Sequence, residues 1–279
     1  MKKRAPVLCF HLVLLAVFLT IPAAFAHPNQ PLIIDFRPVA PVEKMSLSLP
    51  FTLPVATAEV VRFEGTGLCA VKTGHRLPMD RLTFTVDQTT EPGGKLTVFQ
   101  LRIQLLPSDP PGAYEGLVYA VCPDAKERPP LPILVKVRVL PWIRLEPATV
   151  DPLLTIADTP FFTEDFLPAR APVKLLLASN APWRLSLRVG SRTPFRPPPF
   201  PLQISIGKTL NTTDFKAKIM PSGEFYPVAF GAPTVVGEGA RATDYWTELY
   251  VTVSIPNWYH YPAGDYDFRL FLTAETLGP

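Results

Sequence analysis

Histidine and cysteine are scarce, at four and three residues among 279, which leaves little material for a transition-metal site or for thiol chemistry. No GxSxG elbow, HExxH pair or CxxC pair occurs, so the common local signatures of acyl transfer, zinc hydrolysis and redox exchange are missing. The chain is read as not being an enzyme and as needing no cofactor. Catalysis by residues that converge only in the fold stays open at this stage. An excess of charge is missing too. Of 27 Lys and Arg, three stand in the first four residues (Lys2, Lys3, Arg4), and the other 24 meet 24 Asp and Glu. A balanced chain lacks the electrostatic pull that nucleic acid or an anionic bilayer rewards, which argues against both.

Long apolar runs are likewise absent after the first residues. Lys2, Lys3 and Arg4 precede Leu12 to Leu19, and Ala24-Phe25-Ala26 supplies a small-x-small processing pattern. The apolar run is short for the ~20 residues of a membrane span. Residues 1–26 are therefore expected to be a signal peptide cleaved after Ala26, making the protein secreted, extracellular or part of the cell envelope. Cys9 lies in front of the apolar core, so a lipid anchor through it is not expected.

Proline is abundant, 35 residues against a usual ~5%, and falls mostly between apolar runs. Proline breaks helix interiors and collects at strand ends and turns, so long helices are close to excluded and many short strands are expected. Period-two alternation marks several of them: Leu82, Phe84 and Val86; Ile133, Val135, Val137 and Val139; Trp183, Leu185, Leu187 and Val189; Leu249, Val251, Val253 and Ile255. Each run has one apolar face, and two packed sheets bury such faces economically. An all-β fold follows.

A weak internal echo suggests two domains. Pro111-Gly112-Ala113-Tyr114 leads into Leu117–Val121, and Pro262-Ala263-Gly264-Asp265-Tyr266 leads into Phe268–Leu272. In each a Pro/Gly turn opens onto a tyrosine, whose hydroxyl is expected to bond nearby backbone at a sandwich corner. The boundary is placed near Pro141 to Pro152, giving a first sandwich at 27–142 and a second at 143–279. Cys69 and Cys122, the pair left after processing, are expected to form one intramolecular disulfide in an oxidising compartment.

The run Lys174–Leu187, containing Ser179-Asn180-Ala181-Pro182-Trp183, and the run Pro110–Val118 resemble strand edges of bacterial secreted immunoglobulin-like domains. That resemblance implies two immunoglobulin-like β-sandwiches in tandem. It also implies a structural or adhesion-type module of a surface layer, pilus or matrix, with no catalytic residues. Another surface protein, or a polysaccharide bound through loop aromatics, is the expected partner.

Individual motifs qualify this picture. Cleavage after Ala26 would leave His27 with a free α-amine, which together with its imidazole could chelate copper as in the histidine brace of lytic polysaccharide monooxygenases. A brace needs a second histidine, and only His75 and His260 remain, so a frayed terminus is the plainer reading. Asn257-Trp258-Tyr259-His260-Tyr261 concentrates aromatics in an expected loop, with Tyr245 and Trp246 upstream. Trp246, Trp258, Tyr259 and Tyr261 are the candidate binding residues, for sugar stacking or for a protein partner, and capping of the sandwich end is the alternative. Gly207-Lys208-Thr209 lacks the first glycine of a phosphate loop, with Leu202 in its place. Asn211-Thr212-Thr213 is a glycosylation sequon. Asp151, Asp158, Glu164 and Asp165 lack the alternation of a calcium loop. Finally, Leu32-Ile33-Ile34-Asp35-Phe36 could complete its own sheet, or a neighbour's in a homo-oligomer built by strand addition.

Overall fold

The computed structural model describes residues 30–55, 61–89, 96–122, 129–148, 154–156, 166–168, 172–191, 201–210, 212–220, 224–235, 239–257, 260–261, 264–266 and 268–278. The first half contributes β1 (Leu32–Asp35), β2 (Met45–Leu53), β3 (Arg62–Gly65), β4 (Leu68–Ala70), β5 (Arg76–Leu77), β6 (Leu82–Thr89), β7 (Thr97–Leu105), β8 (Gly112–Val121) and β9 (Leu131–Val139). The second contributes β10 (Ile143–Pro147), β11 (Leu154–Ile156), β12 (Phe166–Pro168), β13 (Val173–Ser179), β14 (Trp183–Ser191), β15 (Leu202–Gly207), β16 (Phe215–Ile219), β17 (Tyr226–Gly231), β18 (Thr247–Pro256), β19 (Gly264–Tyr266) and β20 (Phe268–Thr276). Among the described residues the only helices are short 3-10 turns, as the proline content demands.

Each half is a sandwich. In the first, β1-β9-β8-β4-β5, with β3 also on β8, faces β2-β7-β6. Inward residues of both sheets meet in one core that includes Val135, Val137, Leu101 and Ile103. Phe51, Phe63, Phe84 and Phe99 fill one part of it, Phe63 and Phe84 stacked with ring centres 4.0 Å apart. In the second, β10-β13-β18-β15-β16, with β12 also on β18, faces β17-β14-β20, while β11 and β19 pair separately. Its core takes Leu185 and Leu187 from one sheet and Val251 and Val253 from the other.

Three of the four alternating runs keep their apolar face inside: β9, β14 and β18 bury every residue named for them above. β6 departs from the pattern. Leu82 is buried and Phe84 packs on the core, but Val86 is exposed although it still pairs in register with Phe99, and the register against β7 shifts just beyond it, between Val86 and Gln88.

The corner tyrosine is present in the first sandwich. Tyr114, at the start of β8, is buried and donates its hydroxyl to the Pro110 carbonyl at 2.8 Å, the backbone bond of an immunoglobulin-type corner. Burial, with the Asp109 carboxylate nearby, pushes its pKa far above the usual tyrosine value, so the hydroxyl stays protonated and able to donate. The side chain of Tyr266, its expected counterpart, lies outside the described residues.

The two halves meet through buried hydrogen bonds. At the β13–β14 turn, Asn180 accepts from the Trp142 amide at 2.8 Å and donates to the Asp109 carbonyl at 3.1 Å. Ser179 Oγ lies 2.9 Å from the Trp142 carbonyl. Asp109 is itself held by Arg81 at 2.6 Å and by the Leu106 amide at 2.8 Å. A second strap runs beside the first, with Lys44 N to Ala240 O at 2.7 Å and Ala242 N to Val42 O at 2.9 Å. Trp142, Ala178 and Ala242 form a small apolar cluster there, against which Ala40, Val42, Val235 and Trp246 pack. The Ser-Asn-Ala-Pro-Trp turn thus contributes Ser179 and Asn180 to the joint and Trp183 to the second core.

Candidate functional site

Of the four aromatic residues singled out from the sequence, Trp246 and Tyr261 are among the described residues, and both are half-buried. Trp246 is half-buried at the joint, with the Arg144 guanidinium 5.7 Å from its ring. Tyr261 is half-buried and packs on the second core, the capping alternative. Trp258 and Tyr259 lie outside the described residues, as do His27, residues 1–26 and the carboxylates Asp151, Asp158, Glu164 and Asp165. His75 shares a hydrogen bond with the Tyr114 hydroxyl at 3.2 Å, and His260 is exposed in the other half. Among the described residues no group of three or more His, Cys, Asp or Glu is arranged to hold a metal ion. None of their helices is long and apolar enough to cross a membrane.

The expected disulfide is corrected by the register. Cys69 and Cys122 are both free. Cys69 pairs across from Glu115 on β8, seven residues before Cys122. At ~3.4 Å per residue that separation is about 24 Å, whereas a disulfide needs α-carbons within ~7 Å. The strand-like Leu32–Asp35 piece completes its own sheet, pairing parallel with β9 while Ile34 and Phe36 enter the core.

A different surface concentrates recognition chemistry: the outer face of β17-β14-β20. Along β14 the inward residues are Trp183, Leu185, Leu187 and Val189, so Arg184, Ser186, Arg188 and Gly190 point outward. The neighbouring strands add phenylalanines in register. Phe230 of β17 and Glu275 of β20 flank Arg184, and Glu275 accepts from its guanidinium at 2.7 Å. Two outward positions along, past Ser186, Phe271 flanks Arg188. The Arg188 guanidinium lies 4.2 Å from the centre of the Phe271 ring and 5.1 Å from that of Phe225, a cation held between two aromatic faces. Its Nε is buried there with no hydrogen-bond partner among the described residues.

Gly190 makes that stacking possible, because a β-carbon on it would come within 2.8 Å of the Phe271 ring. Despite these contacts the three rings stay open to solvent: Phe230 is 64% exposed, Phe225 43% and Phe271 37%. Arg269, opposite Gly190, extends the row of outward arginines.

The outer face of the other sheet is different in kind. Lys174, Glu248 and Tyr250 satisfy one another there, with Tyr250 donating to Glu248 at 2.6 Å and Lys174 pairing with it at 2.5 Å. The hydrogen bond from Lys174 holds the Glu248 carboxyl below its usual pKa. Such a triad pairs its charges and hydroxyl with one another.

The phenylalanine face was missed in the sequence because β17, β14 and β20 are not consecutive. One signal was available: Leu270, Phe271 and Leu272 are apolar without alternation, so one of them had to face outward.

No family model matches the chain, and no curated protein matches it. Among solved structures it is similar to a CsuC–CsuE chaperone–tip adhesion subunit pre-assembly complex from archaic chaperone-usher Csu pili of Acinetobacter baumannii. The identity is 12%, the match covers 87% of this chain and 97% of that one, and the TM-score is 0.36. A chaperone–tip adhesin complex of CFA/I fimbriae biogenesis is similar at 10% identity over 91% of this chain and 99% of that one, with a TM-score of 0.32. Likeness at this level identifies neither a family nor an activity.

Proposed function

We propose that this chain is a non-enzymatic module of the cell surface, envelope or extracellular matrix that works through protein–protein contacts. Its two sandwiches span 27–142 and 143–279 behind a cleaved leader of residues 1–26. The observation that carries this reading is the outer face of β17-β14-β20. Burying a large apolar side chain is worth roughly 1.5–3 kcal/mol, and three phenylalanines forgo much of that gain on one face. Contiguous apolar surface framed by polar groups is the usual mark of a binding site. Aromatic rings beside arginine are the composition enriched at the centre of protein interfaces.

Polysaccharide stacking is less favoured, because two of the four aromatics on which it leaned, Trp246 and Tyr261, are engaged in packing, while Trp258 and Tyr259 lie outside the described residues. The test is photo-crosslinking in the organism that makes the protein. A crosslinker at Phe230 is expected to yield protein adducts, and one at exposed Lys218, on the opposite sheet, is not. Adducts to polysaccharide, or equal yields at both positions, would contradict the proposal.

A further inference from the structure

The charges on the outer face of β17-β14-β20 do not balance. Its outward positions hold three arginines, Arg184, Arg188 and Arg269, against one carboxylate, Glu275. Glu224 stands at the margin, next to Phe225. Glu275 is committed to Arg184, which it meets through both an ion pair and a hydrogen bond. Among the described residues no carboxylate pairs with Arg188 or with Arg269.

Arg188 is the more unusual of the two. A half-buried guanidinium has lost part of its hydration and ordinarily gains a counter-charge or a hydrogen bond in exchange. Arg188 has a buried Nε with no partner among the described residues, and its guanidinium meets only the rings of Phe271 and Phe225. Rings against the faces of a guanidinium leave its edge free, where the N–H groups lie in plane. A carboxylate in that plane accepts two such bonds at once. Apolar surface continues on the same face, since Phe230, in register with Arg184, stands four residues or about 13 Å along β14 from Arg188.

We infer that the partner of this face is an acidic protein segment, which sets an Asp or Glu carboxylate on the edge of Arg188 and an apolar side chain on Phe230. The inference rests on the reading of β17-β14-β20 as a protein-contact face and adds what the partner must carry. Three exposed rings call for apolar side chains beside the anion, which a phosphate or a sulfated polysaccharide does not bring. The test starts from the full-length protein in the organism that makes it, with a photo-crosslinker at Phe230, and the captured segment is mapped by mass spectrometry. That segment, synthesised as a peptide, is titrated against purified wild type, Arg188→Gln and Arg269→Gln. A second peptide, with its Asp and Glu changed to Asn and Gln, is titrated against the wild type. Circular dichroism confirms that the variants are folded, and Arg269→Gln, at an exposed position, decides the matter if Arg188→Gln is not.

The expected result is a segment containing Asp or Glu whose peptide binds the wild type. Arg188→Gln, and separately the amide form of the peptide, should each weaken binding about tenfold or more, as loss of a hydrogen bond between charged groups does. Arg269→Gln, a more solvated charge, should weaken it about two- to threefold. A captured segment without a carboxylate, a phosphate or sulfate ester as its anion, or a peptide that does not bind would overturn the inference. So would equal binding by the wild type and Arg188→Gln, or by the wild type and Arg269→Gln where that variant decides. In each of those cases the protein adducts at Phe230 keep the contact-face reading and this inference alone fails, whereas no protein adduct at Phe230 removes both.

Discussion

Tyr114 carries a local bond with a definite pH signature. Its hydroxyl reaches the Pro110 carbonyl inside the first sandwich, and burial raises its pKa in the folded chain. Tyr114→Phe is expected to cost about 1–2 kcal/mol at neutral pH, measured by urea unfolding. Because the folded pKa is the higher one, the bond's contribution is complete below the unfolded value of about 10. Above it the unfolded chain ionises first, and the wild type's advantage over Tyr114→Phe should shrink by up to ~1.4 kcal/mol per pH unit. A difference between the two proteins that stays constant up to pH 11 would contradict this. The free cysteines give a second prediction at this scale. Reductant should leave the melting temperature unchanged, and Cys69→Ala, at an exposed position, should stay within ~0.5 kcal/mol of wild type, as surface changes do, while Cys122→Ala, half-buried against the first core, should cost about 1 kcal/mol. A fall of several degrees on reduction would mean that the thiols are bonded after all.

β14 illustrates what can be read at the scale of an element. Its alternation of Trp183, Leu185, Leu187 and Val189 with polar residues declares both the strand and the side it buries, as do the corresponding runs in β9 and β18. β3, β4 and β5 were not legible, since strands of two to four residues take their register from β8 and from each other, beyond any local periodicity. The contact face was hidden for a related reason: Phe225, Phe230 and Phe271 are distant in sequence, and only the β17-β14-β20 order sets them beside Arg188 and Arg184. Substitution separates the two sides of this sheet. Leu187→Ala empties a core position and should cost ~2–5 kcal/mol. Phe271→Ala removes a solvent-facing ring and its cation contact, and should cost only about 1 kcal/mol by chemical denaturation. Equal costs would show that the outer face is structural.

The described residues form two cores joined by straps of hydrogen bonds, several of them buried. Interfaces between domains are commonly polar and mobile, whereas here Asn180 is buried and bonded across the joint to Trp142 and to the carbonyl of buried Asp109, whose carboxylate Arg81 and the Leu106 amide hold within the first half. Asn180→Ala leaves the Trp142 amide without its acceptor in a buried site, a loss of about 2–4 kcal/mol. It should separate the unfolding of the two halves into distinct transitions, where the wild type unfolds in one. A single transition of unchanged midpoint in the variant would mean that the joint contributes nothing to coupling. A stiff pair of sandwiches offering exposed rings and arginines is the basis for reading the chain as a contact module, and one paired measurement on Phe230→Asp tests that reading most directly. The account predicts an unfolding free energy within about 1 kcal/mol of wild type, together with loss of the protein adducts formed by a photo-crosslinker at neighbouring Arg184. Destabilisation of ~3 kcal/mol or more, as for an emptied aromatic core site, with the adducts retained, would contradict it.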